Sequence, residues 1–320
     1  MHIAVFNPEI IGVSSYPDIL KKFGTVTHYI YKKDYCGSLH EMIYDAAVVV
    51  SSKILFNSDL LDQLPNLRLI CVPATGTNNV DLEVAKSHGI AVYNVAGYST
   101  ECVVQHTFAM LFYLLEKLPT YDAYVKERKY IRRKDYTYMF YPFWEIHGKQ
   151  LGVIGLGAIG KRVAQVAESF GMSVCYTSAS GNPRKEAYPH LDLDSLISTS
   201  DVISIHAPIS SKTRNLIGTQ ELMRMKTSSI ILNLGRGGII NEKALADALD
   251  AGEIAAAGLD VLEKEPMRED HPLLNIRDPK RLLITPHIAW GSSEARMRLA
   301  QQITKNIENF LSGKVENRIV

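Results

Sequence analysis

Eleven short apolar runs, rich in β-branched residues, recur along this 320-residue chain with helical patterns between them. No other feature of the sequence restricts the fold so tightly. In the first hundred residues the runs are 3–6, 26–31, 46–51, 67–72 and 90–95. In the second stretch they are 150–155, 173–177, 201–206, 229–234, 255–261 and 282–285. Strands that are apolar on both faces and alternate with helices build parallel sheets covered by helices. Two such series predict an α/β protein of two doubly wound parallel-sheet domains. The length agrees, since domains average about 150 residues.

The first series breaks at Ala96-Gly97-Tyr98-Ser99-Thr100-Glu101, where Ser and Thr before acidic and apolar residues mark a helix start. Residues 292–311 are again amphipathic, with Met297, Leu299, Ile303, Ile307 and Phe310 apolar, and are expected to return and pack on the first domain. The expected division is therefore 1–98 with 290–320 for one domain and 99–289 for the other, inserted domain, with a cleft between the lobes.

Composition narrows the classes of function. Lys plus Arg is 35 and Asp plus Glu is 34, a net charge of +1, which argues against a surface built as a whole to grip nucleic acid or an acidic membrane. The hydrophobic share of 46% argues against disorder. Cys36, Cys71, Cys102 and Cys175 are scattered, with no CxxC pair, as suits a reducing compartment. The start of the chain lacks the basic and long apolar regions of a secretory signal. The most apolar helical stretch, 103–118, is short for a membrane span and carries Gln105, His106 and Glu116, so it reads as a core helix. The expectation is a cytoplasmic protein without membrane or nucleic-acid partners.

Gly155-x-Gly157-x-x-Gly160 follows one of the apolar strands and opens a helical pattern over 161–170. The first glycine permits a tight turn, the second lets backbone approach a pyrophosphate, and the third lets helix pack on strand. Helix-terminal N–H groups then face the phosphates, which points to a dinucleotide. A ribose-binding carboxylate belongs at the end of the next strand. Ser178 stands there instead, with Arg184 and Lys185 downstream. A hydroxyl can bond a ribose and a cation can accept a 2′-phosphate, so NAD and NADP both stay open, as does a merely solvated loop.

Three ionisable residues lie just beyond strands of the second series, where ligands of open α/β sheets bind. Arg236 lies in Leu-Gly-Arg-Gly-Gly, Glu265 in Glu-Lys-Glu-Pro, and His287 follows Thr-Pro. Reduction of a 2-oxo acid by a nicotinamide needs a guanidinium fork for the carboxylate and carbonyl. It also needs a proton donor near neutral pH, and a carboxylate to orient and raise that donor. Singly, each residue has a bland reading as surface charge or strand-end hydrogen-bonder. Together, after a dinucleotide turn, they favour catalysis.

The chain resembles the D-isomer-specific 2-hydroxyacid dehydrogenases over nearly its whole length. The resemblance is carried by residues 151–160, Asp201-Val-Ile-Ser-Ile-His-Ala-Pro208, Asn233-Leu-Gly-Arg-Gly-Gly-Ile-Ile-Asn241, Gly258-Leu-Asp-Val-Leu-Glu-Lys-Glu-Pro266 and Thr285-Pro-His-Ile-Ala-Trp290. It implies a Rossmann-type cofactor domain inserted in a flavodoxin-like substrate domain. It implies Arg236, Glu265 and His287 as the catalytic three, with His287 as acid/base. Cofactor contacts are implied at Val103, Gly155, Gly157, Ala158, Ile159, Gly160, Ser178, His206, Pro208, Thr213, Leu234 and Asp260, the last toward the nicotinamide carboxamide. Substrate contacts are implied at Thr75, Gly76, Thr77, Arg236 and Trp290. Asn94-Val-Ala-Gly-Tyr-Ser-Thr100, Gln105-His-Thr107 and His287-Ile-Ala-Trp290 are similar to the glycerate dehydrogenases, which act as hydroxypyruvate reductases. Leu234-Gly235 and Ser178 depart from the residues expected at those positions.

Residues 126–134 form a basic run that reads as a solvated helix face rather than a nucleic-acid patch. Tyr136-Thr-Tyr-Met-Phe-Tyr-Pro-Phe-Trp144 reads as a dimer arm by resemblance, or as a loop packed on its own domain. No HExxH, EF-hand or Cys/His cluster marks a metal site. The rival reading is a dehydrogenase-like scaffold serving as a cofactor sensor or corepressor.

Overall fold

A computed structural model describes residues 1–13, 16–30, 39–179 and 186–320. The described chain contains eleven strands in two wholly parallel sheets, as the alternation predicts. It divides into two compact units, 1–99 with 291–320, and 100–290.

In the first unit the strands are β1 (His2–Phe6), β2 (Thr25–Tyr29), β3 (Val48–Val50), β4 (Leu69–Cys71) and β5 (Ala91–Tyr93), in the order β2-β1-β3-β4-β5. This is the flavodoxin-like winding. Central strands such as Val48-Val-Val50 are buried on both faces, whereas the edge strand β2 is partly exposed. That contrast is what coverage by helices on both sides requires. The helix Ser293–Leu311 is capped by Ser292, whose Oγ accepts from Ala295 N at 3.1 Å. It buries Ala295, Leu299, Ile303 and Ile307, a stripe at helical spacing. Asn306 Nδ2 on its buried face donates to Asn94 O at 2.8 Å, tying the helix to the end of β5. The last residues then run antiparallel beside β5, with Ile319 N donating to Val92 O at 2.7 Å.

In the second unit the strands are β6 (Gln150–Ile154), β7 (Ser173–Thr177), β8 (Val202–Ile205), β9 (Ile230–Asn233), β10 (Ala256–Leu259) and β11 (Leu282–Ile284). Their order is β7-β6-β8-β9-β10-β11, so the winding reverses between β6 and β8. The helix Thr100–Glu116 lies in this unit and buries Val103, Met110, Leu111 and Leu114, a core helix as expected. Among the described residues no helix is long and apolar enough to cross a membrane.

One expectation is corrected. Residues 126–134 are solvated but do not form a helix face. The helix Leu118–Lys126 buries none of its residues, so no packing carries it further, and Arg128 turns left-handed at φ 64°. A short 3-10 turn, Tyr130–Arg132, follows. In 136–144 the side chains split: Tyr138 stacks on Tyr124 at 4.2 Å, while Tyr136, Met139 and Phe140 are 92%, 69% and 63% exposed. Cys36, Arg184 and Lys185 lie outside the described residues.

Candidate active site

The dinucleotide turn sits where the second sheet reverses. Gly155 adopts φ +95°, and a Cβ there would lie 2.8 Å from Ala207 N, in the turn after β8. Both constraints demand glycine. At Gly160 a Cβ would meet Gly155 O at 2.3 Å, so the helix packs directly on the turn. Gly157 differs from both. It is the N-cap of the helix Ala158–Ser169, has no side-chain cap, and a Cβ there would meet nothing within 4 Å. An open approach onto the uncapped N–H groups of a helix is what a pyrophosphate needs. Ala158 is exposed and Ile159 half-buried beside this opening. The residues present therefore fit a dinucleotide.

The other cofactor candidates are placed as follows. Ser178 is half-buried, directly after β7. His206 directly follows β8; Ser204 Oγ lies 2.8 Å from its Nε2, and its buried Nδ1 has no partner among the described residues. Burial pushes this imidazole down to about 3, so the ring is neutral. Pro208 is exposed, and its carbonyl accepts from Thr213 Oγ1 at 2.7 Å. Thr213 Oγ1 also accepts from Ser210 N at 2.8 Å, so this hydroxyl braces the loop. Val103 and Leu234 are core residues, 5% and 7% exposed. In the first unit, the loop after β4 is fixed by its neighbours: Thr75 Oγ1 donates to Val95 O at 3.3 Å and Asn94 Nδ2 to Thr75 O at 2.7 Å. Gly76 and Thr77 are half-buried in that loop, and Trp290 is half-buried at the end of the second unit.

Strands β9, β10 and β11 are adjacent and in register, so their C-terminal loops emerge side by side. In the loop after β9, Asn233 Oδ1 accepts from Gly235 N at 3.1 Å and Asn233 Nδ2 donates to Arg236 O at 2.9 Å. Arg236 is half-buried and its Nη1 donates to Gly235 O at 2.8 Å. The next residue, Gly237, presses against the loop after β10: a Cβ there would fall 1.9 Å from Leu262 O. A methyl cannot be placed at that contact, so the two loops share one backbone interface.

Glu265 closes the loop after β10 on itself, one carboxylate oxygen accepting from Leu262 N at 2.9 Å. Its other oxygen lies 2.8 Å from His287 Nδ1. Burial pushes this carboxyl up, but the His287 hydrogen bond, the Leu262 N–H and the charges of His287 and Arg236 hold it below its ordinary value. It is therefore ionised and can only accept, so His287 Nδ1 carries a proton and donates. The exchangeable nitrogen is Nε2. The bond to Glu265, working against burial and helped by the charges of Glu265 and Asp260, holds His287 above its usual value. Both side chains keep some exposure, 45% for His287 and 38% for Glu265.

His287 has φ +55°, a left-handed conformation costing a non-glycine residue about 1–2 kcal/mol. Asp260 holds it there. This carboxylate is 2% exposed; its Oδ1 accepts from Thr285 Oγ1 at 2.6 Å and Ile288 N at 2.9 Å, and its Oδ2 from Ala289 N at 3.0 Å. The oxygens of Asp260 thus face the turn that carries His287. Asn233, Gly237, Thr285 and His106 share in this framework and were not singled out as site residues. Asn233 acts locally, on Gly235 and Arg236, but the roles of the other three depend on contacts between segments far apart in sequence. Only the strict Asn-x-Gly-x-Gly spacing around Arg236 hints at them.

Chemically, the arrangement offers an open phosphate cradle, a half-buried guanidinium and an imidazole poised by a carboxylate. Residues 108–289 match the D-isomer specific 2-hydroxyacid dehydrogenase, NAD binding domain family. The chain is 38% identical to a glycerate dehydrogenase of Methylorubrum extorquens over 87% of its own length and 86% of that protein. It is also 38% identical to a hydroxypyruvate reductase of Blautia hydrogenotrophica, over 86% of this chain and 85% of that one. Among solved structures, a D-lactate dehydrogenase from Aquifex aeolicus complexed with NAD and lactic acid superposes with a TM-score of 0.85, at 27% identity and 99% coverage of both chains.

Proposed function

Given that this chain belongs to the D-isomer specific 2-hydroxyacid dehydrogenases, NAD(P)-dependent oxidoreductases, we propose that it reduces a small 2-oxo acid, hydroxypyruvate to the D-2-hydroxy acid or glyoxylate to its achiral 2-hydroxy acid. The observation that carries the reading is the 2.8 Å contact of Glu265 with His287 Nδ1, which leaves Nε2 as the proton-bearing atom. Relatives named for glycerate and hydroxypyruvate support the substrate class.

In this mechanism Arg236 holds the substrate carboxylate through charge-assisted hydrogen bonds. The backbone N–H groups of the loop 75–77 are assigned to the same task, and Trp290 to the substituent. The turn Gly155–Gly160 would hold the pyrophosphate of NAD(P)H, which when bound would supply the hydride for the carbonyl carbon. His287 delivers the Nε2 proton to the carbonyl oxygen as charge develops there. Glu265 stabilises the imidazolium before transfer and fixes the ring afterwards. Ser178 at the end of β7 leaves both NADH and NADPH as reductants. The exposed side chains of Tyr136, Met139 and Phe140 support a homodimer arm, which sedimentation of a variant with all three replaced by Ser would reveal as a shift to monomer.

The deciding experiment measures oxidation of NADH and of NADPH with hydroxypyruvate, glyoxylate, pyruvate and phosphohydroxypyruvate. Turnover is expected with the first two. No turnover with any of the four would leave the scaffold a cofactor sensor.

A further inference from the structure

We propose that His106 is a positioning residue for His287, acting through Thr285 and Asp260; the proposal rests on the reading of His287 as the acid/base. His106 lies on the helix Thr100–Glu116, with its side chain 22% exposed. Its Nε2 is 3.1 Å from Thr285 Oγ1 and 3.7 Å from Asp260 Oδ1. Thr285 has one hydroxyl proton, and it goes to Asp260. Toward His106 the threonine can only accept, so His106 Nε2 donates.

The direction of these bonds sets what the network does. The His106 N–H fixes the rotamer of the Thr285 hydroxyl, and that hydroxyl fills one of the acceptor sites of Asp260 Oδ1. The remaining sites aim at Ile288 N and Ala289 N, the two amides after His287. On the other side, His287 N donates to both Asp260 O and Thr285 O at 2.9 Å. The amides of His287, Ile288 and Ala289 therefore all donate to Asp260 or Thr285, and His106 is the donor that orients this pair from outside the turn. A polar side chain facing a 2% exposed carboxylate from a core helix gains little by being a merely satisfied histidine. It gains a purpose by holding a left-handed residue at a strand end.

The test uses His106→Leu, which removes the donor, and His106→Gln, whose amide N–H has a similar reach. Three quantities are read on the full-length protein: kcat with a 2-oxo acid that the wild type reduces, the dissociation constant of NAD(P)H by fluorescence, and amide hydrogen exchange over 285–290. The Leu variant is expected to lose about 10- to 100-fold in kcat, the scale set by small misplacements of a reacting group. Exchange at Ile288 and Ala289 should accelerate while cofactor binding is unchanged. The Gln variant should restore both. Wild-type kcat or wild-type exchange in the Leu variant overturns the proposal, as does an equal loss in Leu and Gln. Exchange needs no substrate, so it decides the network even where the wild type turns over no oxo acid; in that case only the reading of the activity falls.

Discussion

The order β2-β1-β3-β4-β5 of the first sheet and β7-β6-β8-β9-β10 of the second trace the same path, yet the loops after their strands carry different chemistry. In the first unit the polar side chains around the loop after β4 are spent on structure: Thr75, Asn79 and Asn94 all bond backbone carbonyls. In the second unit, which adds β11, the loops after β9, β10 and β11 present Arg236, Glu265 and His287. The winding decides where a site can be built, and the loop residues decide what it does. One unit offers dipoles, the other offers charges and a proton.

This contrast predicts a ranking of mutational effects. The largest belongs to His287→Ala, with kcat falling about 10²- to 10⁴-fold, the usual worth of a general acid. Fluorescence titration should show NAD(P)H binding intact. Arg236→Lys comes next: it keeps the charge but loses the planar fork, and should cost about 10- to 100-fold in kcat/KM, the worth of a charge-assisted hydrogen bond. Glu265→Gln should act chiefly through pH. Because His287 is held above its ordinary value, oxo-acid reduction, which needs the proton, declines only as pH rises through that raised value. Oxidation of the hydroxy acid needs the neutral ring and declines as pH falls through it. Without the carboxylate, both limbs should move to lower pH, read from kcat–pH profiles. The smallest effect is expected in the first unit, where Thr75→Val removes one long hydrogen bond and should raise KM about 2- to 3-fold. A loss at Thr75 that rivals His287 would break the comparison.

The fold was readable because its determinants are local. Runs such as Val48-Val-Val50 and Ile230-Ile-Leu232 are apolar at every position, which only a covered parallel strand tolerates. Strand ends read long, as at 46–51 against Val48–Val50, because Ser51 is buried yet serves the following turn, its Oγ accepting from Ile54 N. The site was readable as a set of residue types at strand ends. Its assembly was not. No spacing shows that Gly237 meets Leu262, or that Asp260 closes on the turn at 285–289, since each contact joins segments more than twenty residues apart. The basic run misled for a related reason: polarity suggested exposure correctly, but only packing could have extended the helix beyond Lys126.

The contact between Gly237 and Leu262 also constrains how such a site can change. With no room for even a methyl group, the loop holding Arg236 cannot shift without moving the one holding Glu265. Substitutions in the two loops should then fail to add in free energy, as residues sharing a backbone interface do. A lineage altering substrate choice through Arg236 would have to find paired changes, or leave these loops alone and vary the first unit instead.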